Sequence, residues 1–312
     1  MMVSHAEHSL DEATWETLVD TVIAKECTPF LGAGISAPYV PTGKQLAIAL
    51  ANEFDYPLDD QTNLARVTQY IASLRGQSAY VKRRVCEQIR TAQRDATVAL
   101  AGGLPKNYTL LADLQLPIYA TTNYDDYMAR AIGATGVANP SVDICRWNDR
   151  LADELPKYRR TEPVPTAPSI FHMHGHISHQ NSILVTEDDY IDFTVSLAQR
   201  AARDPVIPHF VRRALGNSSM LFVGYSLDDW NFRVLMRHLM KQQRLLQHEL
   251  YGSLSIQLSD EDMPLERRAR AEKFLEVYLS SSRIDVHWGH AEPFLEELHA
   301  RVEAARQVGG RS

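Results

Sequence analysis

Short apolar runs, each too brief to be a helix, alternate along this chain with helix-length amphipathic stretches, and that alternation restricts its fold more than any other feature. The runs fall at 27–31, 116–120, 170–173, 182–185, 220–223, 254–258 and 284–287, and each reads as a strand candidate. Helical spacing fills much of what lies between, notably at 42–54, 124–132, 227–240 and 292–306. Strands alternating with helices predict a parallel sheet covered on both faces, hence an α/β, Rossmann-like fold. At the N-terminus Ser9 and Glu12 have capping-box spacing, and Trp15, Leu18, Val19, Val22 and Ile23 follow on one helical face. From 63 to about 101 the chain reads as helical throughout, closed by Gly102, Gly103 and Pro105. We take this as a helical module inserted at about 55–105 in a single domain spanning 1–312. The stretch 148–168 is polar, carries Pro156, Pro163, Pro165 and Pro168, and reads as a long surface loop.

Composition narrows the function classes. The net charge of -7 argues against direct nucleic-acid binding. The basic clusters Lys82, Arg83, Arg84 and Arg267, Arg268, Arg270 have acids nearby and read as solvated helix faces. Three scattered cysteines, Cys27, Cys86 and Cys145, build neither a disulfide framework nor a four-cysteine zinc site. The polar N-terminus is not a signal peptide and no apolar run reaches spanning length, so the expectation is a cytoplasmic protein with no membrane partner.

Four polar clusters follow strand candidates, where ligands bind in open parallel sheets. The first run enters Gly32-Ala33-Gly34-Ile35-Ser36; glycines there allow a tight turn and bring backbone N–H groups close to a phosphate. This G-x-G lacks the third glycine of a dinucleotide fingerprint and a P-loop lysine, and such turns also serve only to pack a strand against a helix. Thr121-Thr122-Asn123-Tyr124-Asp125 places an amide and a carboxylate at a strand end, where either residue also serves as a helix cap. In His172-Met173-His174-Gly175-His176 a continued strand would put all three imidazoles on one face, and a metal site is the rival reading. Gly224-Tyr225-Ser226-Leu227-Asp228-Asp229 reads equally as a capped helix start.

FLGAGIS at 30–36, TTNYD at 121–125, HMHG at 172–175 and VGYSLDD at 223–229, in this order and spacing, resemble the sirtuin-like superfamily. More narrowly, the chain resembles the zinc-free bacterial sirtuin-like domains of antiphage defence systems. The resemblance implies that Gly32, Ala33, Gly34 and Ser36 cradle the NAD diphosphate, with Gly224 and Ser226 near the adenosine half. It implies Asn123 and His174 as the catalytic pair, with Asp125 beside the nicotinamide ribose, and gives His172 and His176 no role. Two departures from the protein deacylases speak against an acyl-lysine substrate: the paired zinc cysteines are missing, and 37–43 reads APYVPTG where those enzymes carry Pro-Asp-Phe-Arg.

The implied activity is cleavage of NAD, as substrate, to nicotinamide and ADP-ribose, with a cyclic product left open. Nicotinamide leaves as a neutral molecule, so the site must support a developing oxocarbenium ion and place a nucleophile, and needs no metal. An imidazole with its ordinary value near 6.5 suits a base at neutral pH. The alternatives are a non-catalytic NAD or ADP-ribose sensor and, behind it, a deacylase. An NAD-depleting effector needs restraint, so a homo-oligomer or a separately encoded defence partner is expected.

Overall fold

Why the apolar runs become strands is visible in how their side chains divide between two cores. In a computed structural model, which describes residues 10–37, 39–136, 140–159, 161–199, 205–225, 253–257, 264–280 and 283–309, seven strands form one parallel sheet. They are β1 (Cys27–Leu31), β2 (Ile118–Thr121), β3 (Ser141–Ile144), β4 (Ser169–His172), β5 (Ser219–Val223), β6 (Ser253–Gln257) and β7 (Ile284–Trp288). Alternate residues point to opposite faces: Leu221 and Val223 enter one apolar cluster, Met220 and Phe222 the other. Tyr119 and Ile170 likewise oppose Ala120 and Phe171. A sheet buried on both faces can carry runs that are apolar at every position, which is why these strands read as continuous rather than alternating.

The sheet order is β3-β4-β2-β1-β5-β6-β7. From β1 the chain builds outward through β2 and β4 on one side, and later through β5, β6 and β7 on the other. The order therefore reverses between β1 and β5, and their carboxyl ends form the crevice where open α/β sheets bind ligands. This is the expected Rossmann-like arrangement.

The first face is covered by α1 (Glu12–Ile23), α2 (Gly43–Glu53), α3 (Leu64–Arg75), α4 (Ser78–Ala99), α5 (Lys106–Asp113), α6 (Tyr127–Ala134) and, near the C-terminus, α11 (Ala291–Gly309). The second is covered by α7 (Asp149–Glu154), α8 (Glu187–Gln199), α9 (His209–Asn217) and, through Leu279, α10 (Leu265–Ser280). Helix α2 starts at a capping box in which Thr42 and Gln45 satisfy each other's backbone donors. Both α3 and α4 lie between β1 and β2, and Gly76 at φ 69° divides them by closing α3 in the left-handed conformation.

Several expectations need correction. The cap of α1 is Asp11, whose carboxylate accepts from Thr14 N at 2.8 Å; Ser9 lies outside the described residues, as does the helix expected over 227–240. The run 182–185 is not a strand. Its backbone donors are taken by a loop and a side chain: Leu184 N donates to His174 O at 2.9 Å, and Val185 N to Asp189 Oδ2 at 3.1 Å. The polar stretch 148–168 opens with α7, capped by Asn148, before its prolines begin. Strand β3 is a half-exposed edge whose sequence, SVDI, shows little apolar signal because it pairs on one side only, with β4. Lys82 is not on a solvated face: it is buried and ion-paired with Asp189. No helix among the described residues is long and apolar enough to cross a membrane.

Candidate functional site

At the reversal of strand order the β1 and β5 loops lock together. Gly32 N donates to Val223 O at 2.9 Å and Gly34 N to Gly224 O at 2.8 Å. A Cβ on Gly32 would lie 2.7 Å from Gly224 O, and one on Gly224, at φ 79°, would lie 2.3 Å from Ile35 N. Contact between the two loops thus requires these glycines before any ligand is considered. Within the first loop Ile35 N and Ser36 N also donate to backbone oxygens, whereas Ala33 N–H makes no hydrogen bond with the described residues. Ala33 is therefore the position in this turn with a backbone donor to spare for an anion.

Behind this turn lies a buried polar knot. The Ser36 hydroxyl is 2.7 Å from Tyr108 Oη and donates to Asp125 Oδ2 at 3.1 Å. Asp125 Oδ1 accepts from Tyr127 N at 3.1 Å, so this carboxylate does brace the start of α6, as a helix cap would. Burial pushes the Asp125 carboxyl up to about 6, against hydrogen bonds from Tyr127, Ser36 and Tyr108 that lower it. The carboxylate thus faces inward, toward Ser36, Tyr108 and α6.

Asn123 is fixed on three sides. Its N–H donates to Thr121 Oγ1 at 2.9 Å, and its carbonyl accepts from His172 Nδ1 at 2.9 Å. Its Nδ2 has Gly32 O at 3.0 Å, Ser36 Oγ at 3.2 Å and Tyr108 Oη at 3.3 Å. A backbone carbonyl accepts only, so the amide nitrogen must be the atom turned toward Gly32. Oδ1 then faces away from the knot with no partner among the described residues, on the wall of a cleft of about 1920 Å³. That volume exceeds the roughly 300–1,000 Å³ of ordinary small-molecule pockets.

His174 lines the same cleft and His172 and His176 do not, because β4 ends at His172 and the chain turns. The expectation of three imidazoles on one face fails for that reason. The turn depends on Gly175 at φ 90°, where a Cβ would lie 2.2 Å from Ser182 O. The His174 ring packs edge-on against Tyr190 and Phe193 of α8, with centroids 5.5 and 5.9 Å away. Burial pushes it down to about 3, so it is neutral at pH 7 but a weaker base than an ordinary imidazole. The rings of His172 and His176 instead contact each other at 4.5 Å. Among the described residues no group of three or more His, Cys, Asp or Glu side chains has the arrangement of a metal site.

The structure thus brings together Ala33, Gly34, Ser36, Asn123, Asp125, His174 and Gly224 on one cleft, with Gly32 packed behind it against Gly224 and Asn123. Ser226 lies outside the described residues. Sequence reasoning missed Tyr108, which reaches the knot from α5 with no motif around it. It also missed Tyr225, whose hydroxyl donates to Leu31 O at 2.9 Å and contacts Thr122 Oγ1 at 2.9 Å.

Comparison with known proteins identifies the family. A family model described as the SIR2-like domain matches residues 117–282, more than half of the chain; that span holds Asn123, Asp125, His174 and Gly224, and the Gly32–Ser36 loop precedes it. The chain is similar to the NAD(+) hydrolase ThsA of Bacillus cereus (strain MSX-D12), 23% identical over 320 residues, covering 89% of this chain and 61% of that protein. It is also similar to the NAD(+) hydrolase ThsA of Acinetobacter baumannii (strain 532279), 25% identical over 216 residues, covering 66% of this chain and 38% of that protein. The chain spans less than two thirds of the length of either relative.

Proposed function

The chain belongs to the SIR2-like family, and from that premise we propose that it hydrolyses NAD at the bond between nicotinamide and ribose. The observation that carries this reading is Asn123: its amide nitrogen is held by Gly32 O and its neighbours, which turns Oδ1 to the cleft that His174 also lines. In the reaction the C1′–N bond breaks and its electron pair passes to the pyridinium ring, so nicotinamide departs neutral and no acid or metal is called upon. A water then bonds to C1′ and gives up its proton. Asn123 Oδ1 accepts from that water or from a ribose hydroxyl, and the neutral His174 takes the proton. Ala33 N–H, with the turns at Gly32, Gly34, Ser36 and Gly224, holds the diphosphate, and the adenosine half is assigned to Gly224 and Ser226. Asp125 acts from behind, through Ser36 and Tyr108, more than by direct contact with ribose.

The curated relatives are named NAD hydrolases, which supports this reading over a deacylase. We place the protein in the bacterial cytoplasm as an NAD-depleting effector of antiphage defence, restrained by self-assembly or by a separately encoded partner. The domain reading is one Rossmann-type unit over 1–312, with α3 and α4 as the inserted module at about 55–105.

The test is release of nicotinamide from NAD, followed by chromatography with and without an acetylated peptide, on the protein alone and in its assembled form. Release without peptide supports the hydrolase. Release only with peptide returns the deacylase, and NAD binding with no cleavage in any form makes the protein a sensor.

A further inference from the structure

His172 ends β4 opposite Thr121 of β2, two residues before Asn123 on the neighbouring strand. It is 1% exposed, and among the described residues its ring makes one hydrogen bond, Nδ1 to the Asn123 carbonyl at 2.9 Å. A carbonyl only accepts, so Nδ1 carries the proton and Nε2 is a bare lone pair. That Nε2 is buried without a partner among the described residues, beside the His176 ring, whose Nε2 likewise has none among them. A buried unsatisfied nitrogen carries a desolvation cost that an apolar side chain of similar size would avoid. What the histidine supplies in return is its grip on Asn123.

We propose that His172 is a positioning residue for NAD cleavage: its Nδ1–H holds the Asn123 backbone so that Oδ1 points into the cleft. Asn123 has two other anchors, its N–H on Thr121 Oγ1 and its side chain on Gly32 O. Neither fixes the carbonyl. Releasing it lets the peptide rotate at the turn between β2 and α6, and the side chain swings with it. This inference rests on the assignment of Asn123 to the reacting site.

The experiment compares the full chain with His172→Leu, which removes the donor, and His172→Asn, whose amide nitrogen falls near the position of Nδ1. Nicotinamide release is measured as kcat and KM, and hydrogen exchange over residues 119–127 by mass spectrometry. His172→Leu should lower kcat by about ten- to a hundredfold with KM changed less than about threefold, because a displaced group loses alignment more than binding. Exchange at 122–125 should accelerate in the same variant. His172→Asn should restore both readouts. Should His172→Leu fail to fold, His172→Gln, whose amide reaches instead toward the Nε2 position, takes its place. Parental kcat and protection in the Leu variant overturn the proposal, as does equal loss in the Leu and Asn variants with unchanged exchange. If the parent never releases nicotinamide, the hydrolase reading falls, while the exchange comparison still decides whether His172 holds Asn123.

Discussion

Lys82 Nζ lies 2.7 Å from Asp189 Oδ1, an ion pair that joins α4 to the first turn of α8 with both side chains buried. The Lys82 ammonium also sits 5.1 Å from the Trp147 ring, and the second Asp189 oxygen accepts from Val185 N and Thr186 N at 3.1 Å. Because α8 carries Tyr190 and Phe193 against His174, this pair connects α4 to the cleft. Lys82→Met leaves Asp189 buried without its cation and should lower stability by about 3–5 kcal/mol. The double variant Lys82→Met, Asp189→Asn should recover part of that loss. Urea unfolding at pH 7 decides it, and a single variant with the parental midpoint contradicts the coupling.

Asn123→Ala and His174→Ala should each lower nicotinamide release by about two orders of magnitude or more, the size expected when a group that places or moves a proton is lost. NAD affinity by calorimetry should survive in both, since the loops around Gly34 and Gly224 are intact. Variants that cleave at the parental rate would remove these residues from the site.

Tyr108→Phe deletes the hydroxyl shared by Ser36, Asn123 and Asp125. The partners left behind are buried, so a stability loss of about 1–3 kcal/mol is expected. Turnover should fall with it, because Asn123 Nδ2 loses one of its three neighbours. Retention of both the parental melting temperature and the parental rate would show the knot to be dispensable.

Acidification should destabilise the fold. Burial pushes His172 and His174 down to about 3 and His176 to about 4. The unfolded chain protonates such imidazoles near 6.5, so their contribution is complete above that pH and is lost as the pH falls toward 3–4. Asp125 runs the other way. Its carboxyl is pushed up from 3.8 to about 6, so its contribution is present below 3.8 and lost as the pH rises through about 6. Three imidazoles against one carboxyl predict a melting temperature that drops from pH 6.5 to 4.5. Asp125→Asn should steepen that drop; a flat or rising profile contradicts the burial of these histidines.

Gly224→Ala should disrupt the junction of the β1 and β5 loops. The left-handed conformation alone costs a non-glycine residue about 1–2 kcal/mol, and here the added methyl also overlaps Ile35 N. Gly136→Ala is the control: its φ of 84° carries the same conformational cost, but a Cβ there meets nothing within 4 Å among the described residues. Gly224→Ala should melt well below Gly136→Ala and lose NAD affinity. Equal melting temperatures would mean that the two loops separate freely.

The sequence alone determined the α/β class and the strand-end location of the Gly32–Ser36 and Thr121–Asp125 clusters, and the resemblance it carries pointed to Asn123 and His174 as the pair to test. Strand length and composition, capping residues such as Thr42 and obligatory glycines are local, and local constraints are written in neighbouring residues. It could not show that β4 stops at His172, so a continued strand was expected to put all three imidazoles on one face. Whether a strand continues depends on the backbone partners beside it, and Gly175 turns the chain against Ser182. Nor could it show that Lys82 is buried, since the charge looks solvated until Asp189, 107 positions away, is brought to it. Tyr108 escaped for the same reason: no motif surrounds it, and its role exists only because α5 delivers its hydroxyl between the ends of β1 and β2. The tertiary structure decided which atom of each residue faces the cleft, because orientation at a buried site is set by hydrogen-bond partners distant in the chain. That is how Asn123 comes to offer its oxygen, and how His172, one turn of chain from His174, comes to lie behind the site instead of in it.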